Sequence, residues 1–200
     1  MHACDRIVLG EFETFLTQPQ CGKKTKLKEK KVNKRSILYL TRGALIAALY
    51  VALTYLSALF GLSSGMIQFR ISEALCILPI FMPEAIPGLA IGCMIANLAT
   101  GAVFWDILFG TLATLIGALG AYLLRKLPEK LIFIATLPTV VSNTLIIPAV
   151  LIYAYGAPDA YPYLMLTVAI GEIVCALLGG DLLYHTLKKT RFHLFINNTK

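Results

Sequence analysis

Charge is scarce in this 200-residue chain: Asp, Glu, Lys and Arg make up 14% of it, against about 25% in a soluble domain. It is absent altogether from residues 43–69, 85–105, 107–124 and 131–158. About 20 apolar residues cross a bilayer, so uncharged runs of this length exclude a soluble enzyme, a nucleic-acid-binding domain and a disulfide-stapled secreted fold. The usual motifs of catalysis are missing too. There is no P-loop, so the chain hydrolyses no ATP itself, and there is no GxSxG or HExxH motif. No CxxC or Cys/His spacing suits a metal, and His2, His185 and His193 are far apart. Cys76, Cys93 and Cys175 lie in apolar stretches, where a thiol behaves as a small hydrophobe. No metal, no cofactor and no enzymatic activity are expected. No repeat of 20–50 residues is visible.

What is present is apolar: 58% hydrophobic residues and a mean hydropathy of +0.74. The pattern predicts an all-α integral membrane protein of six transmembrane helices over residues 37–187. The spans are expected at 37–60, 71–82, a third ending near 104, then 106–124, 131–153 and 163–186. A tight turn is expected at 82–87, where Pro83 and Pro87 interrupt the helix. The second span is awkward, because twelve residues reach only about 18 Å as an α-helix. It either begins earlier, near Met66, or is short and protected by its neighbours. Pro138 and Pro148 are expected to kink the fifth span.

The net charge of +7 is unevenly placed. Residues 1–42 carry ten Lys/Arg and four Asp/Glu, and residues 43–200 carry eight and seven. Residues 1–36 therefore read as a basic, disordered cytoplasmic arm drawn to anionic lipid, or as an extension without a role of its own. Residues 188–200 read as a cytoplasmic basic tail. With six spans and both termini in the cytoplasm, 17 Lys/Arg fall inside and only Arg70 outside, as the positive-inside rule prefers. Merging residues 71–104 into one span would put two basic segments outside.

Orientation then sorts the polar residues by depth. Gln68, Arg70, Glu73, Asn97, Trp105, Asp106, Asn143 and Glu172 all fall in the outer half, contributed by five of the six spans. A charged group in hydrocarbon costs about 2.5–3.5 kcal/mol on insertion scales, so it is normally paired or functional. The cluster reads as a solute site open to the outside. Carboxylates can take paired hydrogen bonds from an amidine-like edge, and amides both donate and accept, so the set suits a planar, donor-rich heterocycle. Bland readings stand beside this one. Arg70 and Glu73, at i and i+3, also fit an intrahelical ion pair. Asp106 fits a helix N-cap, Trp105 an interfacial anchor, and Asn97 and Asn143 interhelical bridges. Glu172 fits none of them, since residues 160–187 hold no Lys or Arg. Glu84 and Asp181, near the cytoplasmic face, suit caps, turns or partner contacts. Ala44, Ala48 and Ala52 form a small-residue face on the first span, of the kind that lets helices approach closely.

Several segments occur in order that together resemble the QueT family. They are IQFRISEAL at 67–75, PEAIPG at 83–88, Gly92 with Asn97 and Leu98, Asp106 with GTLAT at 110–114, and AIGE at 169–172. That family comprises substrate-binding S components of energy-coupling-factor (ECF) transporters, assigned to queuosine precursors. The resemblance covers about residues 38–186; the basic arm departs from it. It implies a six-helix S-component bundle in a bacterial plasma membrane, partnered by a transmembrane coupling subunit and two ATPases. It further implies that Ala44, Ala48 and Ala52 dock on the coupling subunit and that the solute is a 7-deazaguanine base. Glu172, or else Glu73 or Asp106, would accept the donor edge of that base. Asn97, Asn143 and Gln68 would read its carbonyl and ring nitrogens, and Trp105 would stack on its face. The alternative reading is a self-sufficient carrier or facilitator for a small heterocycle, with Glu172 and Asp181 relaying protons.

Overall fold

The proline-free stretch that follows the basic segment winds into α1 (Lys34–Leu59). It opens a computed structural model that describes residues 34–62 and 68–190. The expectations placed on residues 1–33 and 191–200 lie outside the described residues. Next come α2 (Ile71–Ile80), α3 (Ala85–Ala99) and α4 (Phe104–Leu123), the last running on into a short turn at Leu124–Lys126. A 3₁₀ segment, Glu129–Thr136, leads into α5 (Leu137–Tyr153). Finally α6 (Tyr161–Glu172) passes through a π-helical stretch, Ile173–Leu178, into α7 (Gly179–Lys189). Every described element is helical. Arg35–Leu59, Phe104–Lys126, Glu129–Tyr153 and Tyr161–Lys189 are each long and apolar enough to cross a membrane, with two shorter apolar helices between them. The chain is an all-α, multi-pass membrane protein.

The short second span resolves into a 3₁₀ helix of ten residues. A 3₁₀ helix rises about 2.0 Å per residue rather than 1.5 Å, so α2 reaches about 20 Å where an α-helix of that length would reach about 15 Å. It lies against α1, α4 and α7, and Ser72, Glu73 and the run from Leu75 to Pro79 are buried. This is the protected form of the two options the length problem left open. The turn at 82–87 also forms, but Pro87 sits inside the first turn of α3, where its missing N–H deprives the helix of no bond. Pro138 is likewise accommodated at the start of α5, and Pro148 lies within that helix.

Neighbouring helices pack in chain order around α2: α1 on α3, α3 on α4, α4 on α5 and α5 on α6. The seam between α1 and α3 is a backbone contact. A Cβ on Gly88 would lie 2.6 Å from the Gly43 carbonyl oxygen, and one on Gly92 would lie 2.9 Å from the Tyr50 Cβ. Small residues at such seams let helix backbones touch. Outside the bundle, Leu45, Ile91, Leu112, Leu145 and Leu166 are exposed, which matches an apolar solvent around it.

Polar anchors mark one end of the bundle. Arg42 pairs with buried Glu84 at 3.0 Å, tying α1 to the α2–α3 turn. Lys188 pairs with Glu129, and His185 lies 3.6 Å from Asp181. Arg125, Lys126 and Lys130 belong to this same end, whereas Arg70 is the one Lys or Arg at the opposite end among the described residues.

Candidate functional site

At the Arg70 end, α1, α3 and α5 finish and α4 begins. Between them is a cavity of about 470 Å³, walled by Thr54, Gln68, Arg70, Asn97, Asp106 and Tyr155 among others. Four of the sequence-derived site residues, Gln68, Arg70, Asn97 and Asp106, thus meet in one space. Gln68 is held there by close backbone contact, since a Cβ on Gly171 of α6 would fall 2.1 Å from its carbonyl oxygen. Arg70 does not pair with Glu73. Its Nη2 donates to Asn97 Oδ1 at 3.1 Å, while its buried Nη1 has no partner. Asn97 in turn donates from Nδ2 to the Asp106 carbonyl at 3.5 Å.

Asp106 is not an N-cap: Val103 occupies that position, and no side chain caps the helix. The Asp106 carboxylate instead accepts from the Tyr155 hydroxyl at 3.0 Å, and the same hydroxyl accepts from the Val103 N–H at 3.2 Å. Burial pushes the Tyr155 phenol above its ordinary value, so it meets Asp106 as a neutral donor. Tyr155 thereby closes one side of the cavity. Sequence reasoning did not include it in the site, because its partners lie about fifty positions away and leave no local signal.

Glu73, Asn143 and Glu172 do not line this cavity; they are buried in the bundle. Glu73 is fully enclosed and satisfied. Its Oε1 accepts from the Tyr50 hydroxyl at 2.5 Å, its Oε2 accepts from the Cys76 thiol at 3.2 Å, and the Thr114 hydroxyl lies 3.4 Å away. Tyr50, Cys76 and Thr114 were missed in the sequence, as each sits within an uncharged run that reads as packing. Glu172 and Asn143 stand differently. Glu172 is 4% exposed and Asn143 fully buried, and the two side chains lie close enough to interact with each other, yet Glu172 Oε2 and both Asn143 side-chain heteroatoms make no well-formed hydrogen bond. The buried Thr139 hydroxyl, one turn before Asn143, has none either. Glu73 and Arg70 lie within electrostatic reach of Glu172. The helix carrying Glu172 turns π-helical at the next residue, a local irregularity that often accompanies functional positions.

An unsatisfied polar group in a dry interior costs about 1–3 kcal/mol, and more when charged. Orphaned atoms on two facing helices therefore describe a partner that the chain itself does not supply. An acceptor carboxylate, an amide of both polarities and a hydroxyl together can outline a small polar solute.

Trp105 stands apart. It is 52% exposed, stacks on Phe109 with ring centroids 5.9 Å apart, and borders an apolar groove with Leu145 and Tyr153. A groove of about 660 Å³ runs along α1 and α3, and Ala44, Ala48 and Ala52 all line it. Among the described residues no cluster of His, Cys, Asp and Glu could hold a metal.

Comparison with known proteins gives two matches. A family model described as "QueT transporter" matches residues 40–189. A protein of Lactococcus lactis subsp. cremoris (strain MG1363), named "Queuosine precursor transporter QueT", is 40% identical over 87 residues. That alignment covers 43% of this chain and 51% of the relative, so the chain spans about half the length of the curated protein it matches. No solved structure matches.

Proposed function

The chain belongs to the QueT transporter family, and from that premise we propose that it is the solute-binding membrane subunit of an ECF-type importer. It captures a queuosine precursor of the 7-deazaguanine type from outside the bacterial plasma membrane. It then delivers the solute together with a coupling subunit and two ATPases, and it binds rather than catalyses. The observation that carries this reading is the buried pair Glu172 and Asn143, whose Oε2, Nδ2 and Oδ1 atoms are left without a well-formed hydrogen bond. A 7-deazaguanine edge offers both the donors that Glu172 lacks and the groups that Asn143 can read. The cavity walled by Gln68, Arg70, Asn97 and Asp106 serves as the entrance to these residues, and Tyr155 stands at its rim. Trp105 takes no part in stacking on the base in this arrangement. Glu73, already bonded on both oxygens, stands behind the site.

Orientation and docking follow from the same reading. The positive charge gathered at the Arg42 end supports a cytoplasmic position for that end, and with it the expected cytoplasmic termini. The groove along Ala44, Ala48 and Ala52 is apolar and open, as docking of a membrane-embedded coupling subunit requires. The deciding experiment is mass spectrometry of the small molecule that co-purifies with the protein. A 7-deazaguanine derivative is expected in the parent chain and absent from the Glu172→Gln variant. Concentrative uptake by vesicles containing only this chain would instead favour the self-sufficient carrier.

A further inference from the structure

The two faces of α1 have different attachments. Ala44, Ala48 and Ala52 point into the open groove. Tyr50 lies two residues from Ala48, about 200° around the helix, and is buried. Its hydroxyl donates to Glu73, and one turn later the Thr54 hydroxyl is bonded to that of Ser72 at 2.9 Å. Both partners belong to α2. Against α3, α1 meets glycines through its backbone, and the Tyr55 hydroxyl donates to the Ala99 carbonyl at 3.1 Å. Glu73 is shared by α1, α2 and α4, and it lies within electrostatic reach of Glu172.

We infer that Tyr50 is the positioning residue that links the solute site to the groove on α1. Its hydroxyl holds α1 in register with α2 while Glu73 serves as its acceptor. A solute that brings hydrogen-bond donors to the Glu172 and Glu73 acids draws Glu73 away from Tyr50. With that bond gone, α1 shifts along the glycine seam and the alanine face changes shape. Two sites, two arrangements and one differential contact are what coupling requires. The inference rests on the solute-binding reading above for the identity of its ligand, but the link has its own readout.

The test uses the full chain with Cys4 and Cys21 replaced by Ser and spin labels on Ala48→Cys and Ile91→Cys, one on each side of the groove. Adding 7-deazaguanine should move the interlabel distance by about 1–2 Å, the usual size of a helix shift. Glu172→Gln, which sets an amide donor in place of the acid without any solute, should move it in the same direction. Tyr50→Phe should abolish both movements while leaving base affinity within about threefold of the parent. Should the base fail to bind while Glu172→Gln still moves the labels through Tyr50, the link stands and the proposed solute is wrong. The link is overturned if Tyr50→Phe keeps the parent's response, if Glu172→Gln leaves the labels still, or if Tyr50→Phe loses affinity as severely as Glu172→Gln.

Discussion

Glu172 was the residue that the sequence singled out most sharply, because residues 160–187 hold no Lys or Arg. The burial of its Oε2 without a well-formed hydrogen bond implies opposite effects on stability and on binding. Replacement by Leu removes an unsatisfied acid, so the solute-free protein should become more stable by about 1–3 kcal/mol, seen as a higher melting temperature in detergent. The same substitution should eliminate the extra stabilisation by the base. Glu172→Gln keeps the shape and exchanges one acid oxygen for an amide nitrogen that can only donate. By calorimetry it should weaken binding by about 1.5–3 kcal/mol, roughly ten- to hundredfold; unchanged affinity would remove Glu172 from the site. Arg70 and Asn97 were placed in the correct region, but their direct bond was not foreseeable. The i, i+3 spacing of Arg70 and Glu73 promises an ion pair only where both residues are helical, and Arg70 stands before the first turn of α2.

Element boundaries were readable where proline, glycine and charge punctuate apolar runs, and the helices begin and end within a few residues of the expected bounds. The winding of the helices was not. Nothing in the residues from Ile71 to Ile80 separates a 3₁₀ from an α conformation locally; the choice is made by the helices packed around α2. The π-helical stretch after Glu172 was likewise invisible. Gly88 and Gly92 both sit where a side chain would strike α1. Gly88→Val should force α1 and α3 apart and lower stability by about 1–3 kcal/mol, the usual range for overpacking. The readout is thermal unfolding in detergent. A conservative change at Ile91, which is exposed on the same helix, should leave it within about 0.5 kcal/mol.

The molecule as a whole is polarised, with a basic end anchored by Arg42 and Glu84 and an opposite end holding the cavity. Orientation can be read with a membrane-impermeant thiol reagent on intact cells, in a chain whose Cys4 and Cys21 are serine. Thr100→Cys should label from outside and Lys126→Cys only after the membrane is opened; the reverse pattern would invert the topology and close the cavity to external solute. Association should respond to the groove alone. Ala48→Trp is expected to abolish co-purification with the coupling subunit while base affinity stays unchanged. The groove also has a consequence for the surrounding bilayer. Fifteen residues give α3 a length of only about 22 Å, well short of a hydrocarbon thickness near 30 Å. Lipid beside its exposed flank must therefore thin to meet it, at a fraction of a kcal/mol per ångström of mismatch. A protein surface seated there would release those strained acyl chains, so thick, long-chain bilayers should favour assembly on this flank and thin ones should weaken it.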